Sequence, residues 1–242
     1  MRDSDRPPVL AHQRFVAQRH RLQTMTVAER FAAIHAGNMW GAESSVSGLG
    51  SELDATATLV SELPPLLHEL HVTSLLDAPC GDAGWMAGLD LGGIRYTGID
   101  IVAALVVENT KRHCTLGTFL VGDIIRDPLP RADAILCRDC FVHLGFANII
   151  AAVANFRRSG ARWLIATTFP MLARNSDCAD GDWRALNLEK APFAWSTPVA
   201  LLNERCEEAG GGWRDKSLGV WDLCHLKADC AVTANKTIGS GA

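Results

Sequence analysis

Short apolar segments alternate with helix-like segments between residues 72 and 167, and this alternation constrains the fold more than any other feature of the chain. Residues 72–77 and 96–100 have the length and composition of buried strands, and a Gly-rich turn and a short helix at 85–89 separate them. Such a strand–helix–strand unit joins parallel strands through a crossover. We therefore expect an α/β fold with a doubly wound, mostly parallel, Rossmann-like sheet.

The same pattern predicts the remaining core elements. Apolar segments predict further strands at 119–123, 134–137, 163–167 and within 218–226, and helical spacing predicts helices at 102–112 and 147–157. After the fifth strand we expect a long polar loop over 170–196, followed by a helix that starts at Thr197 and Pro198. Residues 71–227 would form the core domain, and the small, polar residues 228–242 a disordered tail.

Residues 1–70 are expected to form a helical extension that acts as a lid. One helix is predicted over 15–40, where Thr26 and Glu29 have the spacing of a capping box. Loop residues fill 41–51, and a second helix is predicted over 52–70, bent where Pro64 and Pro65 interrupt it.

Composition and charge restrict the partners of the chain. Its 242 residues suffice for one sizeable domain, and a formal net charge of −4 lacks the basic excess that nucleic-acid binding needs. We expect a small-molecule partner and no nucleic acid; a homodimer is left open. No apolar run has transmembrane length, and residues 1–21 lack a secretory apolar core, so we expect a cytoplasmic protein without stable membrane insertion. Its eight cysteines are then reduced.

The turn after the first strand predicts a ligand site. It reads Asp77-Ala-Pro-Cys-Gly-Asp-Ala-Gly84, and Asp100 ends the second strand about 20 residues further on, where a carboxylate can accept both hydrogen bonds of a ribose diol. Nicotinamide and flavin folds also place an acid there. However, Pro79 and Ala83 stand where a dinucleotide turn needs its first and third glycines, which argues against a pyrophosphate.

At this point the sequence resembles class I S-adenosylmethionine-dependent methyltransferases, whose first motif combines an acid, a Gly-rich turn and a second acid after the next strand. It is similar in particular to a bacterial branch with three marks: an Asp-x-Pro-Cys-Gly-Asp turn, a preceding Trp-Gly and Ser-Gly-x-Gly-Ser segment, and an Arg-Asp-Cys-x-Val-His-Leu stretch. Here these marks lie at 77–82, at 40–41 with 47–51, and at 138–144.

The resemblance implies S-adenosylmethionine as cofactor and assigns residues to its parts. Asp77 and Gly81 would border the methionine portion, Asp100 would take the ribose hydroxyls, and Asp123 with Ile124 would flank the adenine. The full set of predicted cofactor residues is Trp40, Ser47, Ser51, Asp77, Pro79, Gly81, Asp82, Trp85, Asp100, Ile101, Asp123, Ile124 and Arg138.

Asp139 and His143 follow the fourth strand and are the candidate catalytic residues. An imidazole with a pKa of about 6.5 is suited to proton transfer at neutral pH, so His143 is the expected base, and Asp139 would orient it or bind the acceptor. The alternative is that His143 packs at a helix end that Asp139 caps. The polar loop after the fifth strand supplies the predicted substrate-binding residues Asn175, Asp177, Asp182, Trp183, Arg184 and Asn187.

Two thiols and an imidazole, Cys137, Cys140 and His143, also have a spacing that zinc could use. A closed structural site needs a second ligand pair, and Cys224 and Cys230 are too far apart to supply one, so we predict no metal site. The expected activity is O-methylation of a hydroxyl on a small acceptor, such as a sugar of a glycolipid or a secondary metabolite. An N-methyltransferase and a non-catalytic cofactor-binding module stay open as alternatives.

Overall fold

Seven strands form a single sheet in the computed structural model, which describes residues 6–226. The order across the sheet is β3-β2-β1-β4-β5-β7-β6. The first five strands pair in parallel, whereas β7 runs antiparallel to both β5 and β6. The mostly parallel Rossmann-like sheet is thereby confirmed. The strands are β1 (Ser74–Asp77), β2 (Arg95–Asp100), β3 (Gly117–Val121), β4 (Ala134–Cys137), β5 (Trp163–Thr168), β6 (Ala200–Asn203) and β7 (Ser217–Asp222).

Both faces of the sheet are covered because neighbouring residues of the central strands enter different apolar clusters. Leu75 of β1 packs in one cluster with residues of the helices α3 (Leu53–Glu69) and α4 (Ala103–Arg112). Leu76, the next residue, packs in the other cluster with residues of α5 (Phe146–Arg158). This alternation explains why every residue of β1 is buried, including the polar Ser74 and Asp77 at its ends.

Two helices precede α3, where the sequence predicts one. They are α1 (Leu10–Leu22) and α2 (Val27–Ala36), and the chain breaks between them because Thr26 caps α2. The Thr26 Oγ1 atom accepts from the N–H of Glu29 at 3.3 Å, and the Glu29 carboxylate accepts from the N–H of Thr26 at 2.9 Å. The predicted capping box is confirmed, and the predicted continuous helix over 15–40 is wrong because such a box begins a new helix.

Two further predicted elements differ from the structure. The helix predicted at Thr197 and Pro198 is wrong: the chain there enters β6, which pairs with β7 and gains ladder hydrogen bonds that local propensity does not reveal. The helix predicted at 85–89 is one turn of 3₁₀ helix, Met86–Gly88. The helix predicted over 52–70 corresponds to α3, which contains Pro64 and Pro65. The predicted disordered tail, residues 228–242, lies outside the described residues.

The order of strands places a crevice at one edge of the sheet. The chain proceeds outward from β1 to β2 and β3 on one side, and from β4 to β5 on the other. In such sheets ligands bind beyond the carboxyl ends of the strands where this reversal occurs, which here means after β1 and β4. Among residues 6–226, every helix is too short or too polar to cross a bilayer.

Candidate functional site

A pocket opens at the carboxyl ends of β1, β2 and β4, and it brings the predicted cofactor residues together. All thirteen of them line it, and the two candidate catalytic residues line it as well. Residues from segments as far apart as 40–51, 77–85, 100–101, 123–124 and 138–143 therefore meet in this first pocket. The sequence-based prediction also missed several lining residues, namely Val27, Phe31, His35, Cys80, Val102, Leu105, Gly122, Ile125, Cys140 and Leu144.

The backbone N–H groups of the turn after β1 already donate hydrogen bonds to other protein atoms. The N–H of Gly81 donates to Asp100 Oδ2 at 3.0 Å, and the N–H of Asp82 donates to Ser47 Oγ at 2.8 Å. The N–H groups of Cys80, Ala83 and Gly84 also donate to protein oxygens, at 2.8, 3.1 and 3.3 Å. A pyrophosphate needs such donors free to bind it. The turn is therefore unsuited to a dinucleotide, as the missing glycines predict.

Gly81 shows why the turn needs a residue without a side chain. Its φ is +53°, in the left-handed region that favours glycine. A Cβ at this position would lie 2.3 Å from Ser47 Oγ. The 45–51 segment therefore packs directly on the turn, and Ser45 Oγ adds a hydrogen bond of 2.7 Å to the Asp82 carboxylate.

Two buried carboxylates face the first pocket from β1 and β2. Burial raises the pKa of Asp77 to about 7, although the Tyr96 hydroxyl donates to its Oδ2 at 2.8 Å. Burial also raises the pKa of Asp100 to about 6, against the opposing effect of the N–H groups of Val102 and Gly81. Ionised carboxylates in such surroundings are stabilised by a cationic or hydroxyl-bearing ligand.

The far end of the first pocket is apolar with one polar edge. Ile101 follows β2, and Ile124 and Ile125 follow β3, so that branched apolar side chains line this end. Asp123 Oδ1 accepts from the N–H of Ile125 at 2.8 Å. A flat apolar ring with a donor at its rim suits this combination.

The N-terminal helices contribute one wall that the sequence-based prediction did not assign. Val27, Phe31 and His35 of α2 line the first pocket. They are spaced four residues apart, which places them on one helix face, so the periodic pattern contained the signal. Arg30, on the next position around the helix, donates to the carbonyl of Asp180 at 2.8 Å and holds α2 against the loop after β5.

A network of buried charges stands behind the first pocket. Arg138 Nη2 donates to Glu204 Oε2 at 2.6 Å, and Lys216 Nζ donates to Asp139 Oδ2 at 2.5 Å. Burial opposes ionisation of Asp139, but Lys216 and Arg138 outweigh it and hold the pKa of this carboxyl far below its usual range. Glu204 and Lys216 come from the β6–β7 hairpin. No local pattern marks them, since Lys216 lies 77 positions from its partner.

His143 lies with one ring nitrogen fixed and the other open. Its Nδ1 is 2.8 Å from the backbone oxygen of Asp182, and an oxygen of this kind can only accept, so Nδ1 carries the proton. Nε2 has no hydrogen-bond partner in the described part of the chain. Burial lowers the pKa of His143 to about 4, below the value of about 6.5 on which the sequence-based prediction rested. The ring is therefore neutral at pH 7 and a weaker base than a free imidazole. Trp40 stacks on it with ring centroids 4.8 Å apart.

The hydrogen bond that His143 was expected to donate to Asp139 is replaced by other contacts. Asp139 pairs with Lys216 and accepts from Thr167 Oγ1 at 3.3 Å, and the carbonyl of Asp182 orients the imidazole. Asp139 also adopts a φ of +49°, which an Asp tolerates better than most residues.

A second pocket adjoins the first on the other side of His143. Trp40, Ser47, Asp139 and His143 line both pockets. The second pocket is otherwise lined by Val9, Leu10, Ala11, Gly48, Leu49, Gly50, Phe169, Trp183, Glu208, Trp213 and Lys216.

The predicted substrate-binding residues occupy different places. Trp183 lines the second pocket. Asp182 accepts from the N–H of Trp183 at 2.8 Å, and its carboxylate lies 2.7 Å from His12 Nδ1. The side chains of the other four bind backbone groups of the protein. Asn175 donates to three carbonyls of the loop, and Asp177 accepts from the N–H of Phe146. Arg184 donates to the carbonyls of Phe141, Leu144 and Ser176, and Asn187 donates to those of Pro170 and Leu172.

The thiols considered for zinc lie in the core. Cys137 is completely buried at the end of β4, and burial raises its pKa well above the ordinary value. No group of three or more potential ligands with the geometry of a metal site occurs between residues 6 and 226.

Solved structures with the same architecture include methyltransferases. Magnesium protoporphyrin IX methyltransferase from Synechocystis PCC 6803 with bound SAM superposes with a TM-score of 0.55 at 13% identity, over 81% of this chain and 95% of that one. DhpI in complex with SAH gives 0.52 at 15% identity, over 80% and 92%. The methyltransferase domain of bacterial CtHen1-C gives 0.52 at 15% identity, over 71% and 99%. Neither a protein-family model nor a curated protein sequence matches the chain. The chain therefore has the Rossmann-like α/β fold of these solved methyltransferases.

Proposed function

We propose that the protein is a methyltransferase that binds S-adenosylmethionine in the first pocket and methylates a hydroxyl of a small acceptor in the second. The donor set fits this cofactor: Asp100 can accept from a ribose diol, and Asp77 can face a positively charged amino acid portion. The apolar end beside Ile124, with Asp123 at its rim, suits an adenine. Structures of similar fold that were crystallised with SAM or SAH support the assignment.

When bound, S-adenosylmethionine supplies a methyl group on a positively charged sulfur, so that an acceptor oxygen bonds to the methyl carbon while the carbon–sulfur bond breaks and its electron pair stays on sulfur. The protein must position the acceptor oxygen and remove its proton. His143 Nε2 is the group in place to take that proton, because its Nδ1 proton is held by the carbonyl of Asp182. Trp40, stacked on the ring, prevents the imidazole from turning away.

The position of His143 is the observation that carries the proposal. Its ring is neutral, its tautomer is set, and the residue lines both pockets. A nitrogen acceptor that binds as a neutral amine would need little help from such a base. The buried pair of Asp139 and Lys216 next to it keeps Asp139 ionised, which stabilises the imidazolium that forms when His143 takes the proton.

Calorimetric titration with S-adenosylmethionine and S-adenosylhomocysteine tests the cofactor. We expect micromolar binding, and we expect Asp100→Ala to raise Kd by at least about a hundredfold, since it loses two charge-assisted hydrogen bonds of about 1.5–3 kcal/mol each. Asp90→Ala removes an exposed carboxylate outside the pocket and serves as the matched control. Tighter binding of NAD than of S-adenosylmethionine would refute the cofactor assignment.

Transfer of a labelled methyl group to the small-molecule fraction of a cell extract tests the reaction. We expect His143→Gln to lower the transfer rate by about 10²–10⁴ while the Kd for S-adenosylhomocysteine stays unchanged. His68→Gln, an exposed change on α3, is the control. Binding without transfer by the wild-type protein would instead indicate a cofactor-binding module. Transfer that His143→Gln leaves intact would indicate a nitrogen acceptor.

A further inference from the structure

Four large aromatic side chains line the second pocket. Phe169, Trp183 and Trp213 pack edge to face, with centroid distances of 6.1 Å from Phe169 to Trp183 and 4.8 Å from Trp183 to Trp213. Trp40 lines the pocket from the side of His143. Ring faces of this kind bind the apolar faces of sugars and aromatic rings, and they attract cations.

The charges around the second pocket do not cancel. Asp139 has Lys216 at 2.5 Å and Arg138 at 3.4 Å, and both cations also contact Glu204. Two cations thus face two carboxylates, which makes this group neutral. Arg6 lies over the Trp213 ring at 5.0 Å, but its charge is matched by Asp215 at 2.8 Å.

Glu208 is the additional carboxylate. It lines the second pocket, is half-buried, and forms no ion pair with any residue from 6 to 226. Within the described residues, the one hydrogen bond to its side chain comes from the Cys206 thiol, at 3.9 Å. Burial raises the pKa of Glu208, and the Coulombic effects of Lys216 and Arg138, neither of which forms an ion pair with it, offset this only in part. The pocket therefore has an excess negative charge beside aromatic faces.

Trp213 adds an unused donor to the same pocket. Its side chain is 6% exposed, and its Nε1 has no acceptor in the part of the chain described by the structure. A buried indole N–H usually finds a partner. Trp213 thus has a buried donor without an acceptor in the described part of the chain.

We propose that the second pocket selects an acceptor that carries a protonated amine together with hydroxyl groups, with Glu208 pairing with the amine and the indoles covering the body of the molecule. This inference rests on the proposed function, since it names the acceptor class of the same site. The amine lies at Glu208 and a hydroxyl at His143, because both residues line the one pocket. Amino sugars and phenolic amines share this chemistry.

Two matched series of compounds test the preference for a cation and distinguish an amino sugar from a phenolic amine as the acceptor. Glucosamine, glucose and glucuronate form one series; tyramine, 4-ethylphenol and 3-(4-hydroxyphenyl)propionate form the other. Each holds the body nearly constant while the charge changes from positive to neutral to negative. Binding is followed by the indole N–H resonances of ¹⁵N-labelled protein saturated with S-adenosylhomocysteine, and Trp213→Phe identifies the Trp213 signal.

In one of the two series we expect the cation to bind at least about tenfold more tightly than the neutral compound and the anion most weakly, with the Trp213 signal moving. Glu208→Gln should abolish the preference of cation over neutral compound. Glu207→Gln removes the exposed neighbouring carboxylate and should retain it. The series that shows the preference identifies the acceptor as an amino sugar or as a phenolic amine.

Equal affinities across both series, a preference for the anion, or a preference that Glu208→Gln leaves intact would overturn the inference. The measurement does not depend on methyl transfer. If S-adenosylhomocysteine fails to bind, the proposed function fails, and the same titrations in its absence still test the charge preference of the pocket.

Discussion

Replacement of Asp77 by Asn should stabilise the ligand-free protein at pH 8. Asp77 is 3% exposed, and burial raises its pKa from 3.8 to about 7. That interval, at about 1.4 kcal/mol for each pKa unit, means that the ionised carboxylate costs about 4 kcal/mol of folding free energy above pH 7. Asn has the same shape and no charge, so it removes this cost.

The net gain is smaller than the cost removed, because an amide group in place of one carboxylate oxygen weakens the bond from Tyr96 by about 1 kcal/mol. We expect a gain of about 2–3 kcal/mol, which raises Tm by roughly 5–10 °C for a protein of this size. Thermal unfolding followed by circular dichroism measures it. The same variant should bind S-adenosylmethionine more weakly, since the charge that burial penalises is the one proposed to face the cofactor.

The pH dependence identifies the cause. The folded pKa of Asp77 is raised, so the destabilisation is complete above the folded value of about 7 and disappears as the pH falls toward the ordinary value of 3.8. At pH 5 the remaining cost is about 1.6 kcal/mol, so the advantage of Asn over Asp should fall by more than half between pH 8 and pH 5.

Asp133→Asn is the matched control on a carboxylate near the other end of β1. Hydrogen bonds from Thr73 and Ser74 overcome the effect of burial and lower its pKa, so its ionised form stabilises the fold and Asn should lower Tm at pH 8. A Tm of Asp77→Asn at or below that of the wild type at pH 8, or a gain that is the same at pH 5, would refute the reasoning.

Three further changes test the packing of the site. Lys216→Met should lower the free energy of unfolding by about 3–5 kcal/mol in urea titrations, because it leaves Asp139 buried without its closest cation. Gly81→Ala should lower Tm and weaken S-adenosylhomocysteine binding, since its φ is +53° and its Cβ would lie 2.3 Å from Ser47 Oγ; adding Ser47→Gly should restore part of the loss. Thr26→Ala removes the cap of α2 and should cost about 1 kcal/mol, whereas an unchanged Tm would indicate that packing alone holds that helix.

Local patterns in the sequence were sufficient to predict the strands that are buried on both faces of the sheet. β4 is apolar throughout and β1 is apolar at its centre, and the order of such strands along the chain with intervening helices predicts a parallel sheet. The pattern was insufficient at β6, where half the residues face solvent and Thr197-Pro198 imitates a helix start. There the pairing with β7 decides the conformation.

The first pocket was largely predictable for the same reason. The carboxyl ends of parallel strands meet at one edge of a sheet, so the residues after β1, β2, β3 and β4 had to converge once the strands were placed. The role of the loop after β5 was not predictable, because the sequence does not show whether a polar side chain binds a ligand or the backbone of the protein itself. Asn175, Arg184 and Asn187 all bind backbone carbonyls.

The sequence by itself determined the doubly wound sheet, the carboxylates at its edge and the turn that excludes a pyrophosphate, since each follows from residues close together in the chain. Only the tertiary structure decided which partner each charge has. Lys216 reaches Asp139 across 77 positions, the carbonyl of Asp182 selects the tautomer of His143, and Glu208 is left without a cation among residues 6–226. Coulombic and hydrogen-bond energies depend on distance in space and on burial, and neither is a property of any short stretch of sequence.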